Sequence, residues 1–142
     1  MSYKVIPISN EICNEVRETL ISPQYKHPAS VSIATGYGPC RSCLNTFNEG
    51  EEERILFTYN SFEGLSDLPL PGPVFIHKDE CRSHDDDVFP QGLSAIPVLF
   101  EGFGECSHLI VREPIDADQT DAQIERIFSR EDIRYINIRN AE

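Results

Sequence analysis

Three observations predict an α+β fold for this chain of 142 residues, with two main helices and a mixed, largely antiparallel sheet. Several short runs have strand propensity or strict apolar alternation, among them Arg54-Ile55-Leu56-Phe57-Thr58-Tyr59 and Ile133-Arg134-Tyr135-Ile136-Asn137-Ile138-Arg139. In only two stretches do apolar positions recur at helical spacing. Strand and helix patterns do not alternate strictly, which disfavours a parallel α/β architecture. No linker, repeat or low-complexity segment divides the sequence, so residues 1–142 read as one domain with a Cys/His hairpin region over 36–81.

The elements follow in order. Tyr3 to Ile8 alternates like a short strand, and Pro7, which lacks a donor, places it at an edge or an end. Ser9 or Asn10 can cap a helix over 10–21, with Ile12, Val16 and Leu20 on one face and Cys13 beside them; Pro23 stops it. Ser30 to Thr35 alternates Val31 and Ile33 with small residues, as a strand leading into Gly36. Asn45 to Glu53 is a polar turn around Gly50, followed by a strand over Arg54 to Tyr59. Residues 60–72, rich in glycine and proline, read as a long loop. Val74 to His77 returns as a strand, and Asp79 to His84 is expected to make one helical turn. Further strands are expected at Pro97 to Phe103 and Leu109 to Val111, with Gly102 and Gly104 marking a bend or bulge. Asp118 is expected to cap a helix over 119–129, with Ile124, Ile127 and Phe128 facing inward. The alternating run from Ile133 to Arg139 closes the chain.

Twelve Lys and Arg stand against 24 Asp and Glu, a formal charge of -12. The long-range field therefore repels phosphate backbones and anionic lipid, and no nucleic-acid or membrane partner is expected. No apolar run approaches the ~20 residues of a membrane span. The first residues resemble no signal peptide, and the five cysteines are an odd number. A cytoplasmic protein with free thiols or metal-ligating cysteines is expected. Cys13 and Cys106 have no cysteine close in sequence and read as small core hydrophobes. Asp85-Asp86-Asp87 lacks calcium-loop spacing and reads as a solvated acidic loop. His27 and His108 stand alone, in local roles.

The chemistry concentrates between Gly36 and Cys81. Cys40 and Cys43 form a C-x2-C pair, and His77 and Cys81 form an H-x3-C pair about a hairpin's length later. Three thiolates and an imidazole are a full ligand set for one tetrahedral zinc, and Gly38-Pro39 suits the tight turn such a knuckle needs. The hairpin between the pairs should bring all four together, and chelation should loosen 36–81 while the helices at 10–21 and 119–129 keep their protection. Two other readings stay open. The four can form a metal-free cluster of buried thiols and a structural histidine. They can also serve thiol chemistry, through Cys40 and Cys43 with Arg41 lowering a thiol pKa, or through Cys81 with His77 or His84. Against the redox reading, the residues after Cys43 make a poor helix.

The segments Gly36-Tyr37-Gly38-Pro39-Cys40-Arg41-Ser42-Cys43-Leu44, Gly50-Glu51, Thr58-Tyr59-Asn60-Ser61-Phe62, Gly72-Pro73-Val74-Phe75-Ile76-His77 with Cys81, and Ile138-Arg139-Asn140-Ala141 resemble the bacterial family known as domain of unknown function 1203. The resemblance spans about residues 31–141. It implies that Cys40, Arg41, Cys43, His77, Cys81, Arg139 and Asn140 belong to the family pattern, and it brings no reaction with it. The sequence departs from that pattern at Ser61, where the family tends to have proline, and at Glu142, where members usually continue through a Gly-Cys pair and a last strand. Arg41, Arg139 and Asn140 are thus candidate binding residues; the bland alternative for the last two is a strand end whose polar groups cap the backbone. Function is expected to be a small-molecule or protein binding or regulatory module with a structural zinc. The alternative is a thiol-dependent enzyme or redox protein.

Overall fold

In the computed structural model, residues 3–60, 72–94, 96–105 and 108–140 are described. The predicted loop at 60–72 falls almost wholly outside them, as does Cys106. The first helix, α1 (Asn10–Thr19), begins where Ser9 takes an extended conformation and its Oγ accepts the Ile12 N–H at 3.3 Å. It buries Cys13 and Val16. Leu20, expected on the same face, instead ends the helix in the left-handed conformation (φ 54°) and is 40% exposed. The chain must double back there: Ser22 N–H bonds His27 O, Ala29 N–H bonds Leu20 O, and the fully buried Ser22 Oγ donates to Thr58 O at 2.6 Å.

Strands β1 (Ser30–Ile33), β2 (Glu53–Tyr59) and β3 (Gly72–His77) form one antiparallel sheet in the order β1-β2-β3. Its register sets Val31 beside Ile55, Ile55 beside Ile76, and Phe57 beside Val74. Ile55, Phe57, Val74 and Ile76 pack with Cys13 and Val16 of α1 into a first apolar cluster. Cys13 is fully buried among them, the small hydrophobe its isolation in sequence implied.

Strands β4 (Val98–Phe103), β5 (Leu109–Pro114) and β6 (Tyr135–Asn140) make a second antiparallel sheet with β4 at its centre. The register shifts between Gly102 and Phe103, at the glycine pair expected to bend the chain. The short α2 (Gln91–Ser94), not foreseen from the sequence, inserts Leu93 into a second cluster. That cluster includes Phe89 and Phe100, with Ile124 and Ile127 from α3 (Thr120–Phe128). The α+β class is as predicted, and the antiparallel pairings are shared between two small sheets.

Three local expectations fail for identifiable reasons. The segment Tyr3 to Ile8 joins no sheet; single bonds tether it, Ile8 N–H to Arg41 O at 2.9 Å and the Tyr3 hydroxyl to Asp121 at 2.6 Å. Residues 79–84 form no helical turn, because Ser83 N–H is taken by Asn10 Oδ1 at 2.8 Å and His84 N–H by Ser42 O at 2.9 Å. Asp118 does not cap α3; Gln119 occupies the cap position without a side-chain bond, while Asp118 N–H donates to Asp116 Oδ1. The three aspartates Asp85, Asp86 and Asp87 lie exposed, as read, with Asp86 beside His84 at 3.1 Å. Among the described residues no helix is long and apolar enough to cross a membrane.

The α3–β5 joint is held by a polar side chain the sequence did not single out. Gln123, 7% exposed, donates to Glu113 Oε1 at 2.7 Å and Pro114 O at 2.8 Å and accepts from Asp116 N–H at 2.6 Å. Partial burial works to raise the Glu113 carboxyl, but hydrogen bonds from Arg126 and Gln123 outweigh it and hold the carboxyl below the ordinary 4.5. A depressed folded-state pKa gives stability that is present above pH 4.5 and lost as pH falls through the folded value. Glu113→Gln should therefore cost about 1 kcal/mol at pH 7, and the difference from wild type should vanish in acid. Urea denaturation of both proteins in steps from pH 7 to about pH 2 checks this; a gap that stays constant through the whole range would assign the cost to packing.

Candidate metal centre

The knuckle is shaped by its backbone. Gly38 has φ 95° and precedes a cis peptide bond to Pro39. A Cβ on Gly38 would stand 2.7 Å from the Phe47 ring, so glycine is required by both conformation and space. Cys40 N–H then bonds Asn45 O at 2.9 Å, and Leu44 N–H returns to Cys40 O at 3.0 Å, wrapping the turn around the first two cysteines. No helix follows Cys43, which removes the helix N-terminus that a redox C-x2-C pair uses.

The turn is fixed to the rest of the fold at several points. Arg41 N–H bonds Phe75 O of β3 at 2.9 Å. Ser42, fully buried, has its Oγ 3.0 Å from Ile8 O and 2.7 Å from Ser83 Oγ, and Ser83 Oγ lies 2.8 Å from the same carbonyl. Two hydroxyl protons thus serve three oxygens, tying the knuckle to the segment that carries Cys81. The β2–β3 pairing sets Arg54 opposite His77 and so delivers His77 to the knuckle at the strand end.

As a result, Cys40, Cys43, His77 and Cys81 converge, with all four ligand atoms within 4.8 Å of one another. Cys40 Sγ is 3.8 Å from Cys81 Sγ, and Cys43 Sγ is 3.4 Å from His77 Nδ1. Two ligands of one tetrahedral ion sit about 4 Å apart, so this cluster can hold a metal ion. Cys40 is fully buried, His77 is 9% exposed, and Cys43 and Cys81 are partly exposed. Hydrogen bonds from Cys43 and Cys81 hold the Cys40 thiol far below its ordinary range, and the bond to Cys40 pushes the Cys43 thiol up. Bonds to Cys40 and Cys81 raise the His77 imidazole to about 10.

Two further residues complete the site. His77 Nε2 lies 3.0 Å from Glu52 Oε2, so when a metal displaces the Nδ1 proton the carboxylate would keep the remaining ring proton on Nε2 and orient Nδ1, the nitrogen beside Cys43, toward the ion. Arg17 of α1 donates from Nη2 to Cys81 Sγ at 3.2 Å and from Nε to His77 O at 3.0 Å, setting a positive charge against a sulfur-rich cluster. Phe47 packs on the His77 ring at 4.5 Å between centroids. The sequence pointed to neither Glu52 nor Arg17. Glu52 stands in a run of acids and Arg17 on a helix far from the knuckle, and only the hairpin register and the packing of α1 bring them in. Glu52→Ala should weaken metal binding at the cluster by about 10–100-fold with the four Cys/His side chains intact. A competition titration against a chromophoric chelator measures this, and an unchanged affinity would make the Glu52 contact incidental.

The remaining predicted residues lie elsewhere. Arg41 Nη1 donates to Ile138 O at 2.7 Å, bridging the knuckle to the outer edge of β6, and Tyr37 makes a second bridge from its hydroxyl to Pro97 O at 2.8 Å. The guanidinium bonded to a thiol is that of Arg17. Arg139 sits on β6 with Nη1 3.8 Å from Glu101 Oε2, a buried carboxylate that also takes Arg112 Nη2 at 2.7 Å. Asn140 ends β6, opposite Val98. The contacts of Arg139 therefore run within the second sheet, whereas Arg41 and Tyr37 link the knuckle to that half of the protein.

The family model for a protein of unknown function (DUF1203) matches residues 37–142, which takes in all four ligand positions. The chain belongs to this family. Neither a curated protein nor a solved structure matches it significantly. The Cys/His cluster therefore lies inside the family's own segment, whereas Arg17, which braces Cys81, precedes it.

Proposed function

We propose that the protein is a small binding or regulatory module built around one structural zinc held by Cys40, Cys43, His77 and Cys81. The observation that carries the reading is the meeting of three thiols and one imidazole nitrogen within 4.8 Å, with Glu52 on the far nitrogen of the ring. Three sulfurs and one nitrogen favour zinc over hard cations, and four protein ligands leave no open position for substrate, which supports a structural ion. Metal analysis by mass spectrometry of protein purified without chelator tests it. One zinc per chain is the expected result, and protein that neither contains nor takes up zinc refutes it.

A second reading, a reactive thiol, is favoured by one observation: Cys81 is partly exposed and carries the Arg17 guanidinium. Alkylation separates the two, since ligated thiols resist it and a free Cys81 thiolate reacts fast. A small molecule or another protein is the partner in both readings. The charge of -12 supports neither nucleic acid nor membrane as partner, and free thiols suit a cytoplasmic setting. Binding to nonspecific duplex DNA at physiological salt should be weaker than about 100 µM by fluorescence anisotropy. Tighter, steeply salt-dependent binding would contradict this.

A further inference from the structure

We propose that the cluster is also a hydroperoxide-responsive release site, in which oxidation joins Cys81 to Cys40 and expels the metal. The proposal rests on the zinc reading above. Its geometry is a sulfur pair that crosses from the knuckle to the segment after β3: Cys40 Sγ and Cys81 Sγ are 3.8 Å apart. A disulfide requires about 2.05 Å, so side-chain movement of less than about 2 Å joins them.

The two sulfurs are unequal in a useful way. Cys81 is partly exposed and hydrogen-bonded by Arg17 at 3.2 Å, whereas Cys40 is fully buried. The first can meet an oxidant from solvent, and the second is placed to resolve the product. Cys43, the sequence partner of Cys40, faces His77 Nδ1 at 3.4 Å. Cys43 lies in the same 4.8 Å cluster and is partly exposed too, so what favours the pair across the hairpin is the 3.8 Å approach of Cys81 to Cys40 together with the Arg17 contact on Cys81.

In the first step the Cys81 sulfur attacks the terminal oxygen of a hydroperoxide. The O–O bond breaks, a sulfenic acid forms, and the alkoxide leaves and takes a proton to become an alcohol. In the second step the Cys40 sulfur displaces the sulfenic oxygen. The S–S bond forms, and the oxygen departs as water. Counted as thiols, the two cysteines lose two electrons and two protons in all, and the hydroperoxide is reduced to alcohol and water. Cys43 and His77 remain, two ligands where a closed zinc site needs four. Arg17, bonded to both Cys81 Sγ and His77 O, passes the change to α1.

The test uses the full chain loaded with zinc and titrated with tert-butyl hydroperoxide, following zinc release with a chromophoric chelator and mapping disulfides by mass spectrometry. We expect one zinc released per peroxide consumed, a mass loss of about 2 Da per chain, a Cys40–Cys81 crosslink, and recovery of zinc binding after dithiothreitol. Arg17→Gln should slow release by about tenfold. A Cys40–Cys43 crosslink, oxidation to sulfinate without a disulfide, or retention of zinc by the oxidised chain would overturn the proposal. If the chain takes up no zinc, the metal reading fails by itself. Mapping of the metal-free chain then decides the disulfide: a Cys40–Cys81 link supports the thiol chemistry and its absence removes it.

Discussion

Chelation of the proposed zinc is expected to strip amide protection from α1, β1, β2, β3 and residues 36–48, and to leave β4, β5, β6 and α3 protected. Structural zinc in small sites is worth about 10–16 kcal/mol, comparable to the whole stability of a domain. Loss of four coordinate bonds at once makes a local loss of about a hundredfold in protection a conservative expectation. The boundary follows from packing. The first apolar cluster contains Cys40 together with Cys13 and Val16 of α1, while α3 belongs to the second. The sequence placed both helices outside the affected region; Arg17 and Cys13 move α1 inside it. Hydrogen exchange with and without chelator decides between local and global loss. Uniform deprotection would show that the ion holds both sheets, and an unaltered pattern would show that no ion is bound.

Cys40→Ser should have the second large effect. Cys40 is the one ligand with no solvent exposure, and its sulfur also accepts His77 N–H at 3.4 Å. A neutral hydroxyl in its place removes a thiolate ligand and shortens the side chain inside a packed core. Zinc affinity should fall by at least about a thousandfold, and the protein should lose about 3–5 kcal/mol, mostly from the first cluster. Chelator competition and urea denaturation in excess zinc give the two numbers. Retained affinity would mean that three ligands and a water suffice, and Cys40 would then be a core residue alone.

Most strands were legible because strand patterns are local: Ile55 and Phe57 alternate inward and are buried as alternation requires. The N-terminal segment and residues 79–84 were misread where single long-range bonds overrode local preference, as Asn10 does by taking Ser83 N–H. Leu20 had the right spacing for a helix face, yet a tight return of the chain claimed it for the cap. Such outcomes depend on partners distant in sequence, and propensity has no access to them.

What the sequence by itself determined is which four side chains form the Cys/His cluster. A C-x2-C turn preceded by Gly38-Pro39 and an H-x3-C pair at a strand end are local spacings, and each ligand pair is brought close by a few residues of chain. Only the tertiary structure decided which nitrogen of His77 faces the sulfurs, which cation meets Cys81, and which helix shares the fate of the site. Glu52 reaches His77 through the register of β2 and β3, and Arg17 reaches Cys81 across 64 residues of sequence through the packing of α1. Register and helix docking are set by the burial of a whole apolar face, a collective quantity that no single motif encodes.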